Sequence, residues 1–409
     1  MSTPMIDLSD HDSYADGFPH EVFRWLREHD PVHWHAPTDK TPDGDGFWVV
    51  SRYDGVMEVF RNAQVFSSDK GGERTAGGTT LKDERVAGKQ LNFTDAPYHR
   101  TLRSLVNKGF TTRSMAKLED QLTDLTHGLI DAWPDGEAFD FVHAFARELP
   151  LQAICLILGV PHQDRKELCD WVETGLEIKS DTILSGEYAI KIKEYARDLI
   201  AEKRRRPTDD ILSTIVHAKL AEEDDRQLTG SELRSFFLVL FLAGSETTRS
   251  TFGIGLKALL EYPDQVQALR RDSGLMKSAA EEMVRWSSPS IYKRRTVTRD
   301  VEFGGRAFKA GDKVTVWEPS ANRDEDVFTD PFRFDIARTP NKHVGFGFGA
   351  HVCLGAALAR MELQIGFSTL LARTSEIEMT DRADWVANNR LLGLRSLPVR
   401  IKFGGSRHG

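Results

Sequence analysis

The sequence predicts a mainly α fold with a small β portion, on three observations. Long stretches through the middle of the chain repeat their apolar residues at helical spacing. Strand-like runs, rich in β-branched and aromatic residues, cluster in only two places. The composition, 40% hydrophobic, 28% charged and 9% aromatic over 409 residues, is that of a globular protein able to bury a large core.

Taken in order, FWVVSRY (residues 47–53) reads as the first strand region. Asp69 to Gln90 is polar, charged and glycine-rich, which predicts a mobile loop, long for a compact domain. Helical patterns then run over Ser114 to Trp133, Glu187 to Arg205, Gly230 to Glu261 and Met276 to Trp286. Thr229 and Glu232 have the spacing of a capping box that opens the third of these. Val301 to Trp317 predicts further strands, with turns at Gly304-Gly305 and Gly311-Asp312. A last helix covers Leu354 to Ala372, a stretch rich in strong helix formers. Length alone permits two or three domains, yet no Pro/Ser/Gly linker or repeat divides the chain, so one domain over 1–409 is expected.

Charge and cysteine usage exclude several classes. A net charge of -8 argues against nucleic acid as the main partner, and Lys203-Arg204-Arg205-Arg206 reads as a solvated helix end. The acidic N-terminus lacks the basic and apolar regions of a secretory signal. The longest markedly apolar run, FFLVLFLAG (236–244), is far short of the roughly 20 residues that span a bilayer. Cys155, Cys169 and Cys353 are odd in number and lack any CxxC spacing, which supports neither a disulfide framework nor a thiolate zinc site. A cytoplasmic protein without membrane insertion is expected.

Cys353 stands apart because it lies in FGFGAHVCLG (346–355), where three glycines surround it directly before the last helix. Free N–H groups and the positive end of a helix stabilise a thiolate, the form that binds metal or attacks substrates. A buried structural cysteine and a catalytic thiol are the alternatives, but no His/Asn set accompanies Cys353 at a recognisable spacing. The second unusual stretch is LFLAGSETTRST, which puts Glu246 and the Thr247-Thr248 hydroxyls inside an apolar helix. Such groups are expensive there unless hydrogen-bonded or functional. Thr247 could bond a carbonyl of the preceding turn, or take part in a proton relay. Glu282 and Arg285 are i, i+3 on one helix face and can pair, and His99 and Arg103 share a face at i, i+4.

These residues together resemble the cytochrome P-450 superfamily, in its bacterial soluble form. Phe346-x-x-Gly349-x-His351-x-Cys353-x-Gly355 is similar to the family's haem-binding loop, and all the main motifs occur in family order. The resemblance implies haem b (iron protoporphyrin IX) with the Cys353 thiolate as metal ligand and Phe346, Gly347 and Gly355 around it. It implies propionate contacts from His99, Arg103, Arg295 and His351. Ala243-Gly244-Ser245-Glu246-Thr247 is similar to the oxygen-activating motif, in which Ala243 and Gly244 leave room above the haem, Glu246 relays protons and Thr247 hydrogen-bonds the bound oxygen. Glu282 and Arg285 would join a downstream arginine, Arg333, with Arg323 as the substitute.

The implied fold is triangular, with haem between the long central helix and the cysteine-loop helix. The implied reaction is hydroxylation of an unactivated carbon of a hydrophobic small molecule, steroid, terpenoid or fatty-acid-like, with O2 and two electrons. The chain carries neither a Gly-x-Gly-x-x-Gly unit nor a cysteine set for an iron–sulfur cluster, so a separate ferredoxin and ferredoxin reductase are expected. Lys108, Arg113 and Arg360 flank the face such a donor would approach. Val239, Ala243, Ile291, Tyr292 and the Leu392 to Leu394 turn are the expected substrate pocket. A haem-thiolate peroxygenase and a non-catalytic haem sensor are the rival readings, and the intact Glu246-Thr247 pair speaks against both.

Overall fold

The computed structural model describes residues 6–84, 87–107, 112–177, 186–220 and 225–404. Its helices are α1 (His20–His29), α2 (Tyr53–Arg61), α3 (Tyr98–Asn107), α4 (Thr112–Asp131), α5 (Glu148–Ile157), α6 (His162–Glu177), α7 (Gly186–Arg205), α8 (Ile211–His217), α9 (Gly230–Glu261), α10 (Pro263–Arg271), α11 (Met276–Ser287), α12 (Glu318–Ala321) and α13 (Ala356–Arg373). The five helices expected from periodicity are all present, with bounds shifted by two residues or fewer. Among the described residues no helix is long and apolar enough to cross a membrane.

Helix α9 is the axis of the helical part. Its start is set by the capping box: the Glu232 N–H donates to Thr229 Oγ1 at 3.3 Å and the Thr229 N–H to Glu232 Oε2 at 2.7 Å. The apolar residues that α9 buries need cover, and α5, α7 and α11 pack against this helix. Two close approaches depend on missing side chains. A Cβ on Gly244 would come within 2.8 Å of Ile154 in α5, and one on Gly366 of α13 within 2.6 Å of the Phe252 ring.

The main sheet has five strands in the order 32–35, 47–50, 313–316, 293–297, 66–67; all pairs are antiparallel except Phe47–Val50 with Lys313–Val316. Pairing of Lys293 with Val316 and Arg295 with Val314 places these side chains on one face, and Arg294, Thr296, Lys313 and Thr315 on the other. The second face carries an ionic network. Buried Lys313 contacts Asp43 at 3.0 Å and Asp45 at 3.1 Å, buried Arg294 contacts Asp83 at 2.6 Å, and Arg74 bridges Asp45 and Asp83. Lys313 also donates to the Leu81 carbonyl at 2.7 Å. The stretch expected to be a mobile loop is therefore fastened to the sheet, because its acidic and basic residues pair with charges a strand pattern cannot reveal.

At the base of the fold, Glu282 and Arg285 of α11 form a pair with no exposed side-chain surface, bidentate at 2.7 Å. Arg285 Nη1 also donates to the carbonyls of Asn322 (2.8 Å) and Pro331 (2.9 Å). The third arginine is Arg338, whose Nε lies 3.2 Å from Glu282 Oε2. This corrects the expectation for Arg333. Its side chain is exposed, and only its carbonyl enters, accepting from Arg285 at 3.2 Å and Arg338 at 3.0 Å. Arg323 stacks on Trp286, 4.4 Å from the ring centre, and donates to the Arg285 and Trp286 carbonyls. Removing one partner of a buried pair strands the other charge at a cost of about 3–5 kcal/mol. Glu282→Ala should accordingly lower stability by that amount and Arg338→Ala by a smaller, measurable amount, whereas Arg333→Ala should stay within ~0.5 kcal/mol of wild type; urea unfolding of the three variants checks the assignment.

Candidate functional site

Cys353 lies three residues before the first residue of α13, with Gly355 as the N-cap. Gly347 (φ 66°) and Gly349 (φ 73°) bend the preceding loop through left-handed backbone, and a Cβ on Gly349 would meet the Phe60 carbonyl at 2.9 Å. The Cys353 N–H donates to the Phe346 carbonyl at 2.8 Å, so the aromatic residue and the thiol are tied by one peptide bond pair. The sulfur opens on a recess: the residue is exposed, yet surrounding protein is close enough for burial to push the thiol pKa up. Against burial act the nearby Gly355 N–H and the positive charges of Lys293 and Arg103. These favour a thiolate once a metal competes for the proton.

The four residues expected at haem propionates come together from three segments. The His99 and His351 rings sit 4.0 Å apart between centres, Arg103 Nη1 donates to the Ala350 carbonyl at 3.2 Å, and His351 lies 3.9 Å from Asp95. Arg295 is buried over the Phe60 ring, and among the described residues its side chain hydrogen-bonds only the Arg294 carbonyl, at 2.8 Å. Burial pushes Arg295 down to about 10. Burial, helped by the charges of His351 and Arg103, pushes His99 down to about 4. A buried guanidinium such as that of Arg295, without a carboxylate partner among the described residues, is costly alone, so this cluster fits an anionic ligand. A thiol at one side and converging cations at the other fit haem, whose iron takes a thiolate and whose edge carries two carboxylates.

A second open stretch is the middle of α9. Ala243 is exposed while Val239 and Thr247, one turn before and after it, are half-buried, so this stripe of the helix lines open space. Thr247 Oγ1 donates to the Ala243 carbonyl at 2.9 Å, and Glu246 lies 3.4 Å from Arg249. Gly244 turns its α-carbon toward Ile154, so its smallness serves the packing of α5 rather than the room expected above a haem. The expected pocket positions beyond α9 are not brought to an open wall. Ile291, Tyr292, Leu392 and Leu394 are all buried. Tyr292 packs 5.3 Å from Trp317 and its hydroxyl accepts the Leu81 N–H at 3.2 Å, while Leu394 seats 3.6 Å from a Cβ position at Gly253. Apolar character marked them for a pocket and equally for the core, which is where they lie. Lys108 lies outside the described residues, as does the Arg113 side chain.

Sequence reasoning missed two charged residues of the recess. Lys293 shares the sheet face of Arg295, a relation legible in KRRTV by strand alternation, and is half-buried. Glu318 opens α12 with 1% exposure, its Oε2 3.6 Å from Lys293 Nζ and neither oxygen hydrogen-bonded.

Comparisons with known proteins agree with this geometry. Residues 182–403 match the family model described as Cytochrome P-450. A Mycobacterium tuberculosis protein described as cytochrome P-450 126 is 46% identical over 405 residues, covering 98% of both chains. A methyl-branched lipid omega-hydroxylase of the same organism is 37% identical over 402 residues, 95% of this chain and 91% of its own. A solved Mycobacterium marinum cytochrome P-450 in complex with pseudoionone superposes with a TM-score of 0.87 at 33% identity, covering 98% of this chain and 99% of that one.

The Glu318 carboxyl gives the recess a pH signature. Burial raises its pKa from the ordinary 4.5 to about 7, with Lys293 and Arg295 pulling the other way. Below 4.5 the carboxyl is protonated both folded and unfolded and has no effect; between 4.5 and 7 only the unfolded chain ionises, so stability falls as pH rises and the loss is complete above 7. At 1.36 kcal/mol per pKa unit the loss is about 3 kcal/mol. Glu318→Gln should remove most of this slope, making the urea midpoint at pH 8 approach that at pH 5; an unchanged slope would show that the carboxyl is ionised throughout.

Proposed function

Because the chain belongs to the bacterial cytochrome P-450 superfamily, with its haem-iron cofactor and monooxygenase activity, we propose that it hydroxylates an unactivated carbon of a hydrophobic small molecule, steroid, terpenoid or fatty-acid-like, with two electrons from a ferredoxin and its reductase. The observation that carries this reading is the Cys353 loop: a thiol facing a recess, with the buried Arg295 guanidinium and the half-buried Arg103 beside it. We read the cofactor as haem b and the whole chain, 1–409, as one domain. Coverage of 98% of a relative's length supports the single domain.

When bound, haem supplies activation of O2 for insertion into a C–H bond. The chain's own residues do the rest. Cys353 Sγ holds the metal, and the nearby Gly355 N–H moderates its electron donation. Arg295, Arg103, His99 and His351 hold the cofactor's carboxylates and so fix its rotation in the recess. On the other wall, Thr247 Oγ1 donates its proton to the Ala243 carbonyl, so its oxygen is left as an acceptor at the open stripe of α9. Glu246, one residue before, exchanges protons with water while Arg249 holds its carboxylate in place. Ala243 keeps the wall flat enough for a small oxidant and an alkyl carbon to meet. The substrate class is supported by the apolar stripe of α9 around Val239 and by the activity named for the 37% identical relative, which acts at the terminal position of a methyl-branched lipid.

Ligation is tested first. Reduced, CO-treated protein should show the absorption band that gives the family its name, and Cys353→His should abolish it; an unchanged band in the variant would refute thiolate ligation. The α9 assignments are separable from folding. Thr247→Ala should keep that band while product per NAD(P)H consumed falls and H2O2 rises. Glu246→Gln should keep haem content while turnover slows and the solvent isotope effect grows. Wild-type coupling in both variants would remove the α9 stripe from the reaction.

A further inference from the structure

Arg360 was expected to be a surface cation for an electron donor; its side chain is 36% exposed, yet its donors are engaged within the protein. It is the fifth residue of α13 and half-buried, so its charge needs a compensating partner. The partner is Glu281 of α11: Arg360 Nε and Nη2 donate to its two oxygens at 2.5 and 2.8 Å. The same carboxylate accepts from His343 Nε2 at 3.0 Å. His343 Nδ1 in turn accepts the Gly345 N–H at 3.2 Å, which assigns the ring proton to Nε2 and makes the imidazole a fixed spacer. Burial would raise the Glu281 pKa, but the hydrogen bonds from His343 and Arg360 draw it down to about 2. The carboxylate is ionised at any physiological pH, and the clamp is permanently charged.

What the clamp grips is the Phe346 ring. The Arg360 guanidinium lies 4.4 Å from its centre and the His343 ring 5.8 Å. Phe346 is the residue whose carbonyl accepts the Cys353 N–H at 2.8 Å, so the position of this ring sets the backbone that carries the sulfur. A cation stacked on an aromatic face is worth about 0.5–2 kcal/mol depending on solvent access, enough to select one ring position. The guanidinium is thus one aromatic ring and one backbone hydrogen bond away from the Cys353 segment, close enough for its positive charge to act on a metal held there.

We propose that Arg360, held by Glu281 and His343, is a positioning residue for the thiolate loop: it fixes Phe346 against the Cys353 segment and its charge raises the reduction potential of the metal bound there. The inference rests on the haem-thiolate reading of Cys353. It departs from a docking role, because the donor atoms that a partner's carboxylates would need already face Glu281 and the Phe346 ring. Glu281 and Glu282 then act as neighbours with separate duties on α11, the first gripping the cysteine loop and α13, the second the segment around Arg338.

The test uses haem-loaded wild type with Arg360→Ala, Arg360→Lys and Glu281→Gln, measured by spectroelectrochemical titration, by the lifetime of the thiolate CO band, and by KM and kcat for the donor. In Arg360→Ala the ferric/ferrous equilibrium should move about tenfold toward ferric, a fall of 59 mV for one electron, and the thiolate CO band should decay several-fold faster. Arg360→Lys restores the charge without the planar stack, so it should recover the potential and not the band lifetime. Glu281→Gln frees the cation from its counter-charge and its tether, so the potential should rise while the band again decays faster. Wild-type potentials and band lifetimes in all three, with only a raised donor KM in the Arg360 variants, would overturn the proposal in favour of docking. Absence of a thiolate CO band in wild type would instead strike the Cys353 reading itself.

Discussion

The structure depends on a carboxylate that has no exposed surface. Glu282 takes a bidentate pair from Arg285, a second guanidinium from Arg338, the Asn341 amide at 3.1 Å and the Asp335 N–H at 3.0 Å. Each donor comes from the irregular stretch between α12 and the cysteine loop or from α11 itself, so one ion organises a segment that has almost no regular structure of its own. An isolated buried carboxylate would be severely destabilising; one with this many donors instead makes every donor hard to move. The Cys353 loop begins five residues after Asn341, and its placement inherits that rigidity.

Around the recess the electrostatics run in opposite directions on the two walls. Arg295, Arg103, His99 and His351 gather positive or protonatable groups where burial works against their charge, which leaves them short of anions. The wall formed by α9 is nearly apolar, with Thr247 and Glu246 as its polar residues beside Ala243. A flat, largely hydrophobic cofactor with two carboxylates would suit both walls. Glu318 is the exception on the cationic side, a buried carboxyl whose raised pKa marks the cost of placing another acid there.

Helix α9 answers two demands with one stretch. The face toward α5 needs Gly244 because Ile154 would collide with any side chain, while the neighbouring stripe of Val239, Ala243 and Thr247 must stay open. Close packing on one side holds the backbone that presents the hydroxyl on the other. The bond from Thr247 Oγ1 to the Ala243 carbonyl is thus both a helix-interior hydrogen bond and the element that orients a reactive group, and the two readings of that threonine describe one geometry.

Local pattern made much of this legible in advance. Helical periodicity located α4, α7, α9, α11 and α13, the capping box marked the start of α9, and the glycines at 304, 305 and 311 do adopt the left-handed backbone of turns. The fold class and the place of the cysteine before the last helix were readable from spacing within short stretches, whereas His99, Arg103, Arg295 and His351 lie in three separated segments and were grouped only by the resemblance to cytochrome P-450s. Tertiary structure decided the rest. Arg333 and Arg338 are five residues apart in an irregular segment, and only the path of the backbone determines which guanidinium reaches Glu282. Tyr292 and Leu394 look like pocket linings by composition, yet apolar side chains line cores and pockets alike, and burial alone separates them. Arg360 reads as a surface charge until α11 brings Glu281 beneath it. Sequence spacing determines which side chains share a helix or strand face, because that is set by the repeat of the backbone; which charge meets which across the molecule is set by packing between elements far apart in the chain, and no local repeat encodes it.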